Sequence, residues 1–153
     1  MRRWWSGDTL SRWAPVAAWL LVIATFSSGW FSGAQTGSVL LPIFRWLFPS
    51  ATLPQLILAH AVVRKLAHFA EYLVLCVLLY RALDGRGFAR STALRALALA
   101  ALCSAVDEFN QSFVVGRTGA LRDCLIDTTA AAAGLGLVAL RARVLMTRAP
   151  ARS

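Results

Sequence analysis

Residues 66–83, LAHFAEYLVLCVLLYRAL, are apolar over nearly the length a helix needs to cross a bilayer, about 20 residues. Yet His68, Glu71 and Tyr72 stand in the first turns of this run, with Lys65 just ahead of it. A charged carboxylate at membrane depth costs about 2.5–3.5 kcal/mol on insertion scales unless it is paired or hydrated. The stretch therefore reads as a membrane helix that carries a polar site at one end.

Working outward, the helical pattern extends back to Pro54, and three further stretches have span-like character: residues 13–28, 92–113 and 122–140. Residues 39–48, closed by Pro49, are apolar but too short to cross, so they read as an interfacial or re-entrant helix. Trp30, Phe31, Trp46 and Phe48 suit the headgroup zone beside it. The expected fold class is all-α: a polytopic membrane protein, a four-transmembrane-helix bundle with a short interfacial helix after the first span. Composition agrees. Hydrophobic residues make up 58% of the 153-residue chain and charged residues 15%, against about 25% charged in soluble domains. The length suits one domain, residues 1–153.

Net charge is +9, but the arginines lie between apolar runs and form no basic stripe with exposed aromatics, so no nucleic acid is expected as a partner. They set topology instead. Arg2, Arg3 and Arg12 precede the first span; Arg81, Arg86, Arg90 and Arg95 lie between or near the ends of the second and third; Arg141, Arg143, Arg148 and Arg152 follow the fourth. Cytoplasmic placement of these regions holds eleven of the sixteen basic residues inside and leaves Arg45, Arg64, Lys65, Arg117 and Arg122 outside. Both chain ends are thus expected in the cytoplasm of a bacterial inner-membrane protein. A competing reading makes Arg2–Arg3, the first apolar stretch and Ser32-Gly33-Ala34 a cleaved signal peptide, though Gly-Trp-Phe, rather than a polar region, follows that stretch. Cys76, Cys103 and Cys124 show no metal-ligand spacing and read as small buried hydrophobes.

Five of the seven acidic residues sit in or beside the expected spans: Glu71, Asp107, Glu108, Asp123 and Asp127. With the orientation above, the start of the second span, the end of the third and the start of the fourth share one depth near the outer leaflet. At about 100° per residue, Lys65, His68 and Tyr72 occupy a narrow helical face, with Glu71 about 60° from His68. Gln111 is within reach of both Asp107 and Glu108, and Asp123 and Asp127 share a face. Adjacent residues point apart, so of Asp107 and Glu108 the first is expected to face the site. The turn Val115-Gly116-Arg117-Thr118-Gly119 brings a positive charge to the same end. His60 reads as a polar residue near the outer interface.

These residues resemble the VanZ-like family of bacterial membrane proteins. Lys65-Leu-Ala-His68-Phe69-Ala-Glu71-Tyr72 is similar to the family's K-x-x-H-F-x-E-Y, and Asp107-Glu108-Phe-Asn-Gln111-Ser-Phe113 to its D-E-x-x-Q-x-F. Gly116-Arg117 with Asp123 and Asp127 resembles its P-G-R…D-x-x-x-N/D, and Gly134 stands at the later glycine. The motifs cover residues 65–134. Val115 replaces the usual proline, Ala130 a common glycine, and Asp127 the more usual asparagine. The resemblance implies a cell-envelope role bearing on teicoplanin or related glycopeptides, and it implies no established reaction.

Three functions fit. In the first, Lys65, His68, Glu71, Tyr72, Asp107, Glu108, Gln111, Arg117, Asp123 and Asp127 bind an outer-leaflet ligand, a lipid-linked cell-wall precursor or a lipid-tailed glycopeptide. Arg117 would meet its anionic group. In the second, the site is an intramembrane hydrolase or transferase in which Glu71 or Asp107 is the general base and His68 the general acid. No nucleophile elbow or phosphate cradle supports it. In the third, the cluster is an ion-paired knot in a structural partner of another membrane protein. No cofactor is called for. Without a short ligand motif such as H-E-x-x-H, no metal is expected either.

Overall fold

The computed structural model describes residues 9–83, 88–113 and 121–147. Arg117 and its turn lie outside the described residues, as do Arg2, Arg3, Arg86, Arg148 and Arg152. Five α-helices run in order: α1 Thr9–Ser27, α2 Gly33–Leu47, α3 Leu53–Ala82, α4 Arg90–Gln111 and α5 Leu121–Thr147. A 3₁₀ turn, Gly29–Phe31, joins α1 to α2. There is no strand among the described residues, so the all-α expectation holds.

Local sequence explains the helix ends. Ser32 caps α2, its hydroxyl accepting from the Gln35 N–H at 3.4 Å, so α2 starts well ahead of the residue 39 expected from the apolar run. Thr52 opens α3, where the Gln55 side-chain oxygen accepts from the Thr52 N–H at 2.8 Å and Pro54 occupies the first turn. The 30-residue α3 therefore includes more than three turns before the expected span, back to where the helical pattern of the sequence begins.

Every other helix packs on α3. The core joins Tyr72, Leu75, Cys76 and Leu79 of α3 to Ala96 and Ala100 of α4, Ala130 and Ala131 of α5, and Val16 and Ile23 of α1. Helix α1 is thus an integral part of the packing. Alanine on both α4 and α5 allows close approach, and Gly134 goes further. A Cβ there would lie 2.6 Å from the Leu73 carbonyl oxygen, so α5 can touch the backbone of α3 only at a glycine. Cys76 is buried as expected, Cys103 and Cys124 are half-buried, and none forms a disulfide.

Polarity is turned inside out. Leu21, Leu58, Leu66, Leu102, Phe109 and Leu137 are exposed, while His60, Glu71, Asp107, Glu108, Gln111 and Asp127 are buried. Water-soluble domains rarely show large contiguous apolar surfaces. Two of the four expected spans, α1 and α5, are long and apolar enough to cross a membrane by length and composition.

Candidate functional site

Helices α3, α4 and α5 bring their polar ends together around a cavity of about 320 Å³. Six predicted site residues line it: Lys65 and His68 from α3, Glu108 and Gln111 from α4, Asp123 and Asp127 from α5. Lys65 and Asp123 form an ion pair that bridges α3 and α5 at the rim. Both side chains are more than a third exposed, so the pair orients the rim more than it stabilises the fold.

Behind the rim the acids are held individually. Asp107 Oδ2 accepts from the Ser27 hydroxyl and from the Gln111 amide, each at 2.8 Å, and Gln111 also donates to Ser27 Oγ at 3.3 Å. That triad ties the end of α1 to the end of α4. Ser104 donates to Asp127 Oδ2 at 2.8 Å, which joins α4 to α5. Trp19 donates its indole N–H to the backbone carbonyl of Glu71 at 2.9 Å, fixing α1 against α3 beside the site. Of the adjacent acids, Glu108 lines the main cavity, whereas Asp107 lines a second one of about 300 Å³ together with Tyr72.

The most polar turn of α3 is also the least satisfied. His68 Nδ1 and Glu71 Oε2 are 3.4 Å apart, yet neither has a hydrogen-bond partner among the described residues. The Tyr72 hydroxyl, on a fully buried side chain, is likewise without one. Leaving a buried polar group unsatisfied costs about 1–3 kcal/mol. Three such atoms within five residues form a site whose hydrogen-bonding capacity the chain itself does not use. Glu71 borders a third cavity, of about 190 Å³ and mainly apolar, which His68 shares with the main one.

Sequence reasoning missed His60, Arg64, Ser27 and Ser104. His60 and Arg64 line the main cavity with His68. Their signal was the four-residue spacing 60–64–68, which keeps one face of α3. Ser104 carried the same signal through its spacing to Glu108 and Gln111, whereas nothing local marked Ser27. His60 is buried. Thr36 Oγ1 lies 2.9 Å from the Ser32 carbonyl, to which it donates, and 3.0 Å from His60 Nε2, a contact in which the roles follow the His60 tautomer. Burial first, and the Arg64 charge second, hold the His60 imidazole below its ordinary pKa; this residue precedes the expected span at 66–83. Among the described residues, no three His, Cys, Asp or Glu side chains gather closely enough to hold a metal ion.

No curated protein and no solved structure matches the chain. A family model described as VanZ/LLP1 does match, over residues 13–142. That match takes in all three polar blocks, the helices that carry them and the glycine on which α5 approaches α3; the chain belongs to the VanZ/LLP1 family.

Proposed function

We propose that this chain is a cell-envelope protein of the bacterial cytoplasmic membrane, with a polar site facing outward that binds an envelope ligand. In this reading α1, α3, α4 and α5 all cross the bilayer, both chain ends are cytoplasmic, and α2 rests at the outer interface. The 22 residues of α4 rise about 33 Å, enough for a hydrocarbon core of about 30 Å. Its outward face, with Leu94, Leu102, Val106 and Phe109 exposed, suits lipid. Trp30, Trp46 and Phe48, all exposed around α2, suit the headgroup region. At 15 residues α2 is too short to cross.

The observation that carries the reading is the cavity of about 320 Å³, lined by ionisable side chains from three helices in a molecule whose exterior is apolar. A purely structural knot would close on itself; here space and unused hydrogen-bonding atoms remain. The ligand fitting such a place is a lipid-linked cell-wall precursor or a lipid-tailed glycopeptide. The functional consequence is altered susceptibility to teicoplanin or related glycopeptides. The test is the teicoplanin inhibitory concentration, beside that of vancomycin, in a susceptible host expressing wild type, Glu71→Gln or Asp107→Asn at matched membrane levels. Protection by wild type alone, stronger for teicoplanin, is the expected outcome. Absence of protection by a well-expressed wild type refutes the glycopeptide role.

One observation favours a second reading, an acid/base hydrolase or transferase acting on a lipid-linked intermediate. His68 Nδ1 and Glu71 Oε2 stand 3.4 Å apart in an ion-pair contact, neither with a hydrogen-bond partner among the described residues, as an acid and a base awaiting a substrate would. Under it, Glu71→Gln abolishes turnover and leaves binding intact, whereas a pure binding site loses affinity. If the cluster only serves to hold a partner protein, the same variant lowers the membrane level of the chain instead.

A further inference from the structure

Arg64 and His68 stand between the polar cavity and the smaller apolar one and line both. Two cations border the polar cavity on α3, and Lys65 is already paired with Asp123. Arg64 makes no ion pair among the described residues. Its guanidinium lies against Gly33, where an added Cβ would be 2.6 Å from a terminal nitrogen. Gly33 is the first residue of α2, so the guanidinium lies beside the N-terminal turn of a 15-residue helix, the end that carries partial positive charge. A helix N-terminus beside a guanidinium is well suited to hold an anion that both can reach.

The apolar cavity adds an independent constraint. Phe26, Phe31, Leu40 and Val63 form its walls, and Glu71 borders it; beyond the 3.4 Å contact with His68 Nδ1, its Oε2 has no hydrogen-bond partner among the described residues although its side chain is only 8% exposed. Its volume of about 190 Å³ is roughly that of six waters, enough for a short apolar segment and not for a whole lipid tail. An apolar pocket, an unpaired guanidinium and a buried acceptor side by side describe a ligand with an apolar body, an anionic group and a hydrogen-bond donor.

We infer that Arg64, with the N-terminus of α2, binds the phosphate of an amphiphilic lipid whose headgroup-proximal apolar part enters the Phe26–Leu40–Val63 cavity. The guanidinium fork matches a phosphate in two-point contact. A ligand hydroxyl or amine then meets Glu71, and the remaining headgroup extends past His68 into the polar cavity. This deepens the proposed function and rests on the polar cluster being a ligand site.

The experiment is native mass spectrometry of the full-length chain in non-ionic detergent with dioctanoyl phosphatidic acid, dioctanoylglycerol and inorganic phosphate as probes. Phosphatidic acid should bind at least about tenfold more tightly than dioctanoylglycerol, and millimolar phosphate should not displace it. Arg64→Gln should weaken phosphatidic acid binding about tenfold or more, as loss of a charge-assisted contact does. Gly33→Ala displaces only the flexible tip of Arg64 and should weaken binding severalfold while leaving the melting temperature unchanged. Arg45→Gln, whose guanidinium donates to the Ala51 carbonyl at 2.8 Å outside the cavities, should have no effect. Equal binding of the two lipids, or indifference to both Arg64→Gln and Gly33→Ala, overturns the assignment. Effective competition by inorganic phosphate overturns the lipid and leaves a free-anion site. Failure of wild type to bind any lipid removes the ligand-site reading itself, whereas binding that ignores Arg64 removes this inference alone.

Discussion

Asp107 shows how a buried carboxylate is made tolerable: it takes two donors, one from α1 and one a turn away on α4. Interhelical hydrogen bonds inside membranes average only about 0.6 kcal/mol and reach about 1.7. Ser27→Ala should therefore lower the detergent melting temperature by about 1–4 °C. Asp107→Ala strands both donors and should cost more, about 1–3 kcal/mol; the two melting curves decide it. His60 supplies a pH test. Its pKa is lowered in the folded chain, so its contribution to stability is intact above about 6.5 and is lost as pH falls through the folded value. Between about pH 7.5 and 5, wild type should lose melting temperature faster than His60→Asn. The acids and the amide that line the main cavity were legible from the sequence because such residues are rare in apolar runs and stand out. Ser27 was not, since a serine at a helix end is unremarkable until the acid it serves, eighty positions later, is known. Of Asp107 and Glu108, the spacing showed that they diverge; Asp107 was expected to face the site, whereas Glu108 lines the main cavity and Asp107 the one beside Tyr72.

The helices were legible wherever apolar runs are long. Their ends were not, because caps such as Ser32 and Thr52 are short polar signals outside the apolar pattern. This is why α2 begins earlier than hydropathy alone suggests, whereas the helical pattern read back to Pro54 met the start of α3 at Leu53. Helix packing depends on a different feature, one of the two glycines of α5. Gly134 is pressed on the backbone of α3, whereas a Cβ on Gly136 would meet nothing within 4 Å. Gly134→Ala should cost about 1–3 kcal/mol, as overpacking does. Gly136→Ala should be neutral or mildly stabilising, since alanine is the better helix former. Thermal melts of the two variants side by side check the contrast. Ala130, which stands where the resembled pattern commonly has glycine, is fully buried in the core.

Across the whole molecule, exposed apolar side chains and buried acids are arranged as lipid solvation requires. The proposed orientation makes a direct prediction. In a chain with Cys76, Cys103 and Cys124 replaced by alanine, Phe113→Cys should react with an impermeant maleimide on intact cells. Arg143→Cys should react only after the membrane is opened; the reverse pattern inverts the topology. Orientation rests on charge counts across segments partly outside the described residues, and the bilayer that would express it is a property of the surroundings. Finally, the Trp19 indole is tied to the carbonyl of Glu71 at 2.9 Å, on the same turn of α3 as the orphaned side chains. With Trp4, Trp5, Trp13, Trp30 and Trp46 changed to phenylalanine, this chromophore becomes an optical gauge of the joint between α1 and α3. Its emission colour follows whether the N–H keeps its acceptor, so occupancy of a colourless site can be watched as a spectral shift.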